Sequence, residues 1–338
     1  MAPAEDGEGP LGELELIETY FRPLAEATPG ALSLADDAAC LPVNPGCDLV
    51  ATTDMLVAGV HFFPDDAPAD IAWKAVAVNV SDLAAKGARP LAYLLALALP
   101  GAPRRAWMEG FADGLRQAQT AFAIGLAGGD TTATAGPLVI SITALGETPR
   151  GAMLRRGGAR AGDGIFVSGT LGDAALGLKL RREVLHGKAV FVDAAAQFLI
   201  SRYLRPHPRI GLAQALLEHA GAAMDISDGL LLDLSRMCRA SGGLGAEICM
   251  ADVPLSKAAE DILAKAPGEI EAILSGGDDY EILAAIRPEA EAAFVAAALA
   301  AGVGVTKIGS MQPSGGVRVL APDGSELRFA NTGYQHFG

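Results

Sequence analysis

The chain has 338 residues, which at roughly 150 residues per domain makes about two domains, each long enough to enclose a core. Hydrophobic residues make up 51% and charged ones 20%, with 41 Gly and 20 Pro spread along the chain, a composition that excludes wholesale disorder and collagen-like repeats. Twenty-six Lys plus Arg against 40 Asp plus Glu leave a net charge of −14, so the chain offers no broad attraction to nucleic acid or anionic lipid, and a phosphate ligand is repelled unless local cations intervene.

The first residues, Met1 to Glu15, are acidic and carry no basic region followed by an apolar one, unlike a secretory signal. Residues 1–13 read as a flexible leader and Leu14 to Leu24 as a short helix. Strands are predicted at Leu49 to Thr53, Leu91 to Leu99, Gly125 to Ala127 and Leu138 to Leu145, each rich in Leu, Val or Ile and bounded by Gly, Pro or Asp. Between the first two, Trp73, Val76, Ala77, Val80, Leu83 and Ala84 recur at helical spacing, which leaves Asn79, Asp82 and Lys86 together on another face. Trp107 to Phe122 is a second helix. The stretch from Glu147 to Asp163, rich in Gly, reads as a linker, so the domains are expected at 14–149 and 150–338. Beyond it, strands are predicted at Gly164 to Ser168, Ala246 to Met250, Glu281 to Ile286 and Val317 to Leu320. Helices are predicted at Asp173 to Leu185, Ala194 to Tyr203, Arg209 to His219, Gly229 to Ala240 and Pro288 to Ala300. The fold class is therefore α/β, or α+β, in two domains. The longest apolar stretches, Leu91 to Leu99 and Ala292 to Val305, fall short of the ~20 residues of a membrane span. Cys40, Cys47, Cys238 and Cys249 form no C-x-x-C pair and the five histidines no H-E-x-x-H. These features predict a soluble, cytoplasmic protein that binds neither membrane nor nucleic acid.

The acidic residues are unevenly placed. Several fall in what read as short loops at the ends of apolar strands, beside Gly or Thr: Asp36 and Asp37; Thr52, Thr53 and Asp54; Gly128, Gly129 and Asp130; Asp225 and Asp228; Asp278 and Asp279. Short carboxylates on fixed loops suit Mg2+, which wants octahedral oxygen ligands and shares its shell among one or two carboxylates, water and substrate phosphates. Taken singly, each has a plainer reading: Asp228 as a helix N-cap, Asp36 and Asp37 as a solvated turn, Asp82 as an exposed helix position, Arg155 and Arg156 as a solvated pair. Their recurrence at strand ends favours a shared site, because α/β folds bind ligands outside strand termini. Metal-bridged carboxylates would let an acidic chain hold polyphosphate. The chain contains no G-x-x-x-x-G-K-[ST] and no protein-kinase H-R-D or D-F-G set, so any nucleotide is held by another design.

The motifs as a set resemble thiamine-monophosphate kinase, within the larger group of ATP-using enzymes related to aminoimidazole ribonucleotide synthetase. They are Asp-Asp-Ala-Ala at 36–39, the run from Thr52 to Phe62, the run from Lys74 to Ala88, Gly-Gly-Asp-Thr-Thr at 128–132, Arg-Pro-His-Pro-Arg at 205–209, Asp-Ile-Ser-Asp-Gly-Leu at 225–230, Ser-Gly-Gly-Asp-Asp-Tyr-Glu at 275–281 and Gly-Tyr-Gln-His-Phe at 333–337. They run from about Leu14 to Phe337. The resemblance implies a two-domain fold of the aminoimidazole ribonucleotide synthetase type, with N-terminal sheets pairing into a dimer barrel and a C-terminal α/β domain. It implies phosphorylation of thiamine monophosphate by ATP, with several Mg2+ per site and a homodimer. Carried onto this chain, it makes Asp37, Thr52, Thr53, Asp54, Asp82, Asp130, Asp225 and Asp228 the magnesium ligands. Gly129, Asp130, Arg156 and Ser227 become ATP contacts, and His61, Asp278 and Tyr334 contacts to thiamine monophosphate, with Asp54, Asp130 and Arg156 central to catalysis. Two other readings stand beside it: another ATP-using member of the superfamily, and a non-catalytic Mg-nucleotide binding module. Two positions depart from the family pattern. Ser33-Leu34-Ala35 stands where Gly-Ile-Gly is usual, and Ser or Ala resists backbone angles that Gly tolerates. Asp278 stands where Glu is common, one methylene longer, so the substrate contact could be lost, water-mediated or passed to Asp279.

Overall fold

A computed structural model describes residues 11–188 and 193–336. Most of the leader (residues 1–10) and the last aromatic of the C-terminal motif, Phe337, lie outside the described residues. The chain divides into two compact units, one comprising the residues through Pro45 with Ala51–Asn79 and Pro90–Glu147, the other Gly46–Val50, Val80–Arg89 and the residues from Thr148 on.

The first unit opens with helical turns α1 (Glu13–Leu16), a π-turn over Ile17–Phe21 and α2 (Arg22–Ala25), where Pro23 sits at the start of the new helix and so costs no hydrogen bond. Leu16, Tyr20, Phe21 and Leu24 are its buried side. A four-stranded sheet follows, built from β1 (Cys47–Val57), β2 (Arg89–Leu99), β3 (Gly125–Ala133) and β4 (Val139–Pro149) in the order β1-β4-β2-β3. Helix α3 (Pro68–Ala85) precedes β2, and α4 (Arg105–Phe122) joins β2 to its parallel neighbour β3. Period-two burial separates the sheet's faces. Tyr93, Leu95 and Leu97 on β2 and Ile140, Ile142 and Ala144 on β4 are buried, and Gln119 of α4 reaches the Tyr93 hydroxyl at 3.1 Å. On the opposite face Leu94, Ala96, Ser141, Thr143 and Leu145 stay partly open. Helices α3 and α4 approach closely where Gly114 lies against the Ala69 backbone, a space that any side chain would fill. Trp73 meets Phe122 edge-on at 4.8 Å.

The second unit holds a seven-stranded sheet of order β11-β10-β7-β9-β5-β8-β6, made of β5 (Gly164–Ser168), β6 (Ala220–Ile226), β7 (Gly245–Cys249), β8 (Glu281–Ile286), β9 (Val305–Gln312), β10 (Val317–Leu320) and β11 (Glu326–Leu327). Its helices are α5 (Asp173–Leu185), α6 (Ala194–Leu204), α7 (Ala213–His219), α8 (Leu230–Ala240), α9 (Lys257–Lys265), α10 (Ile270–Ser275) and α11 (Glu291–Ala300). Every residue of β5 and β8 is buried, as expected of strands covered on both faces. Ile165 and Val167 enter one core with Leu230, Leu234 and Met237 of α8. Phe166 enters the other with Leu212, Leu216 and Phe294, joined there by Ala84 and Ala85 from the end of α3.

The elements predicted from sequence are present, with three differences. The first strand was expected to end at Thr53, with Asp54 beyond it, and Gly128 to Thr132 to form a loop, but β1 runs on to Val57 and β3 to Ala133. Parallel pairing with β2 continues from Leu94–Gly128 to Leu99–Ala133, which gives the glycine-rich stretch backbone partners and the β-branched Thr131 and Thr132 a strand position they favour. Strands β6, β9 and β11 and helices α9 and α10 also escaped the sequence reading. The Ala-Gly-Ala-Ala start of β6 has little β-propensity, and it forms a strand because β8 lies alongside. Among the described residues no helix is long and apolar enough to cross a membrane.

Candidate functional site

In the first unit a cleft of about 860 Å³ opens over the sheet, lined by Asp36, Asp37, Leu94 to Ala96, Gly128 to Thr131, Ser141 and Thr143. Asp37 and Asp130 therefore share one cavity. Gly129 is dictated by packing, since a side chain there would collide with the Leu95 carbonyl of the neighbouring strand. Asp130 pairs across the ladder with Ala96, on the open face. Thr53 reaches the cleft wall, its hydroxyl donating to Ile142 O at 3.1 Å and accepting from Thr143 Oγ1 at 3.1 Å. Strand alternation turns Thr52 and Asp54 to the opposite face from Thr53, so the Thr-Thr-Asp run is divided between two sides of β1. Asp37 leads out of a left-handed turn: Leu32, Ser33 and Leu34 have φ of 51°, 53° and 55°, while Ala35 is ordinary. Each such L-residue costs roughly 1–2 kcal/mol. Arg22 Nε braces the turn through Ser33 O at 3.2 Å. At Ser33 the absence of the family's first glycine is thus felt as backbone strain at the cleft's edge, whereas Ala35 at the second glycine position is unstrained.

His61 belongs to a tight reversal after β1. Its Nδ1 accepts from Val57 N at 2.9 Å, which sets the neutral tautomer with the proton on Nε2, and its carbonyl accepts from Lys74 Nζ at 3.2 Å.

In the second unit, the end of β6 gathers several of the expected residues. Asp225 is buried and accepts from Ser81 Oγ at 2.7 Å; burial, reinforced by the negative charge of Asp82, pushes its carboxyl up to about 8. Lys86 lies beside both acids and close to Arg156, and burial lowers its pKa. Ser227 O accepts from Asp278 N at 2.9 Å, and Asp228 O from Tyr334 N at 2.9 Å, so three distant segments meet here. Gly333 permits the last approach, since a side chain would collide with Leu232. Tyr334 is 45% exposed and meets His336 edge-on, which leaves its ring at the surface rather than in the core.

Asp228 is not the N-cap of α8. That position belongs to Gly229, and the amides of Ser227 and Asp228 donate instead to the buried Asp233, at 3.0 and 2.9 Å, while Asp228 pairs with Arg236. Asp278 has φ 73° and accepts from the Tyr280 hydroxyl at 3.2 Å. The left-handed region tolerates Asp better than Glu, a local reason for the departure at this position. Asp279 cannot inherit the substrate contact: it is buried and accepts from the amides of Gly172 and Ala174 at the start of α5, and burial pushes its carboxyl up to about 8. Sequence reading also missed Glu281, fully buried, which accepts from Arg202 at 2.8 Å, Arg209 Nε at 2.7 Å and Ser168 Oγ at 2.5 Å. The Arg-Pro-His-Pro-Arg motif signalled Arg209 without showing its partner. Among the described residues, no three His, Cys, Asp or Glu side chains form a ready-made metal cage.

Residues 35–148 match the family model of the AIR synthase related protein N-terminal domain, and 160–321 that of the C-terminal domain. Over 317 residues the chain is 44% identical to the thiamine-monophosphate kinase of Caulobacter vibrioides, covering 93% of this chain and 88% of that one. The chain belongs to the thiamine-monophosphate kinase family. The Escherichia coli thiamine-monophosphate kinase is 41% identical over 332 residues, 96% of this chain and 98% of the relative. Among solved structures, AaThiL complexed with AMPPCP and TMP superposes with a TM-score of 0.76 at 35% identity, covering 97% of each chain. Two AIR synthase-like domains, mixed α/β with one sheet each, are thus the fold of a thiamine-monophosphate kinase.

Proposed function

We propose that the protein transfers the terminal phosphate of ATP to thiamine monophosphate, giving ADP and thiamine diphosphate. The observation that carries this is the near full-length likeness to a relative solved with AMPPCP and TMP. The acceptor oxygen belongs to a phosphate monoester, whose second ionisation near pH ~6 leaves it mostly deprotonated at neutral pH, so no general base is needed. His61, held neutral by the Val57 amide, orients rather than abstracts. Arg156, an exposed cation, neutralises charge on the transferring group, and Gly129 and Asp130 contact ATP at the cleft. Ser227 adds an ATP contact, and Asp278 and Tyr334 hold the acceptor. The protein's main contribution is alignment of two anions that repel each other.

Asp37, Thr52, Thr53, Asp54, Asp82, Asp130, Asp225 and Asp228 would hold magnesium, several ions per site. The donors fit: all are hard oxygens, and Asp225, kept beside Asp82 out of water, ionises unfavourably until positive charge arrives. Bound magnesium supplies neutralisation of the polyphosphate. The open face of the first sheet, with Leu49, Met55 and Leu94 exposed by 51, 58 and 39%, supports a homodimer joined there as a barrel. Four free cysteines suit a cytoplasmic enzyme.

One assay tests the reading: ADP release with and without thiamine monophosphate, in magnesium and after chelation. Release that requires both acceptor and magnesium is expected. Nucleotide binding with no acceptor-dependent turnover would leave only a binding module, and sedimentation as a monomer at micromolar concentration would remove the barrel.

A further inference from the structure

Lys86 takes no part in the functional assignments above, yet it ties together three elements of the second unit that carry them. Its Nζ donates to Ala223 O at 2.9 Å, on the edge strand β6. Its own carbonyl accepts from Leu154 N at 3.2 Å, in the linker. The linker closes the loop, because Arg155 O accepts from Ala223 N at 3.0 Å. The three hydrogen bonds form a ring joining the end of α3, the linker and β6. Each corner of the ring adjoins an expected site residue. Asp82 lies one helical turn before Lys86, whose amide donates to Asp82 O at 3.1 Å. Arg156 follows Arg155. Asp225 is two residues beyond Ala223, on the same side of the strand. The half-buried ammonium donates to a main-chain carbonyl with two carboxylates close by, so it fixes backbone at the place where those charges stand.

We propose that Lys86 is a positioning residue for the phosphoryl-transfer site, locking the last turn of α3, the linker and the edge of β6 in one register so that Asp82, Arg156 and Asp225 address the same polyphosphate. This rests on the kinase reading, and its effect falls on the nucleotide rather than on the acceptor.

Hydrogen exchange on the ligand-free wild-type protein is the first test. The amides of Leu154 and Ala223 should be protected like those of the sheet interior; exchange within seconds at both would overturn the ring as a fixed device. Lys86→Met then keeps the stem and removes the donor. The Kd for AMPPCP with magnesium and the KM for ATP should both rise about tenfold, equivalent to about 1.4 kcal/mol, with KM for thiamine monophosphate changing by less than about twofold. Lys86→Arg, which retains charge and donor, should recover most of the affinity. Unchanged nucleotide affinity in Lys86→Met, or equal losses for both substrates, overturns the proposal. If the wild type binds AMPPCP but never turns over thiamine monophosphate, the kinase reading fails, while the Kd and exchange measurements still decide the role of Lys86. If Lys86→Met does not fold, wild-type exchange decides it alone.

Discussion

Two groups of acids, one in each unit, are held in opposite ways. On the four-stranded sheet Asp37 and Asp130 stand exposed at a cleft whose floor is a half-open sheet face. Around the seven-stranded sheet Asp225, Asp233, Asp279 and Glu281 are buried and engaged with amides, hydroxyls or guanidinium groups. A carboxylate kept in water at a cleft costs the fold little and is available to a ligand. One taken out of water must be matched by fixed partners, and removing it disturbs them. Motif membership alone does not separate these cases: Asp278 and Asp279 are neighbours in one motif, yet only the second is sealed inside.

The contrast can be broken by substitution. Asp130→Asn should lower kcat about a thousandfold, about 4 kcal/mol in the barrier, with the melting temperature unchanged; retention of more than a tenth of wild-type turnover would remove Asp130 from the essential set. Glu281→Gln should act the other way, costing about 3 kcal/mol of stability because two arginines lose a buried counter-charge, and lowering the melting temperature by about 6–12 °C in thermal unfolding. An unchanged melting temperature would show that the buried cluster carries no stability.

A pH series sharpens the same point at Asp279. The unfolded carboxyl releases its proton near 3.8 and the folded one near 8. Between those values the native state holds a proton that the unfolded state lacks, so this group's contribution makes stability fall as pH rises. Asp279→Asn cannot titrate, so its melting temperature relative to wild type should climb from pH 4 to 8 in metal-free protein; a constant difference would refute the burial argument. The smallest effect is expected at the cleft's edge, where Ser33→Gly should stabilise the protein by about 1 kcal/mol by relieving one left-handed residue. A loss of stability in a denaturant titration would mean that the turn carries no strain.

Sequence disclosed most of the framework because apolar runs such as Leu91 to Leu99 and Gly164 to Ser168 carry their own periodicity. It disclosed the open-face acids too, since Gly-Gly-Asp-Thr-Thr is unusual as a strand and draws attention. Among the sealed acids it disclosed Asp225 and Asp279 as positions but not their burial, for a physical reason: their partners are remote. Ser81 and Asp225 are 144 residues apart, and Ser168 and Glu281 are 113. Nor could periodicity reveal that Asp233 of α8 holds the amides of Ser227 and Asp228, or that three successive residues without glycine adopt left-handed angles.

The segment at Gly333 and Tyr334 has a practical bearing on how the protein is handled. Tyr334 is fastened to the Asp228 loop by its own amide, and Gly333 sits where no side chain fits. A variant trimmed at position 332 loses this fastening, and with it the acceptor contact proposed for Tyr334.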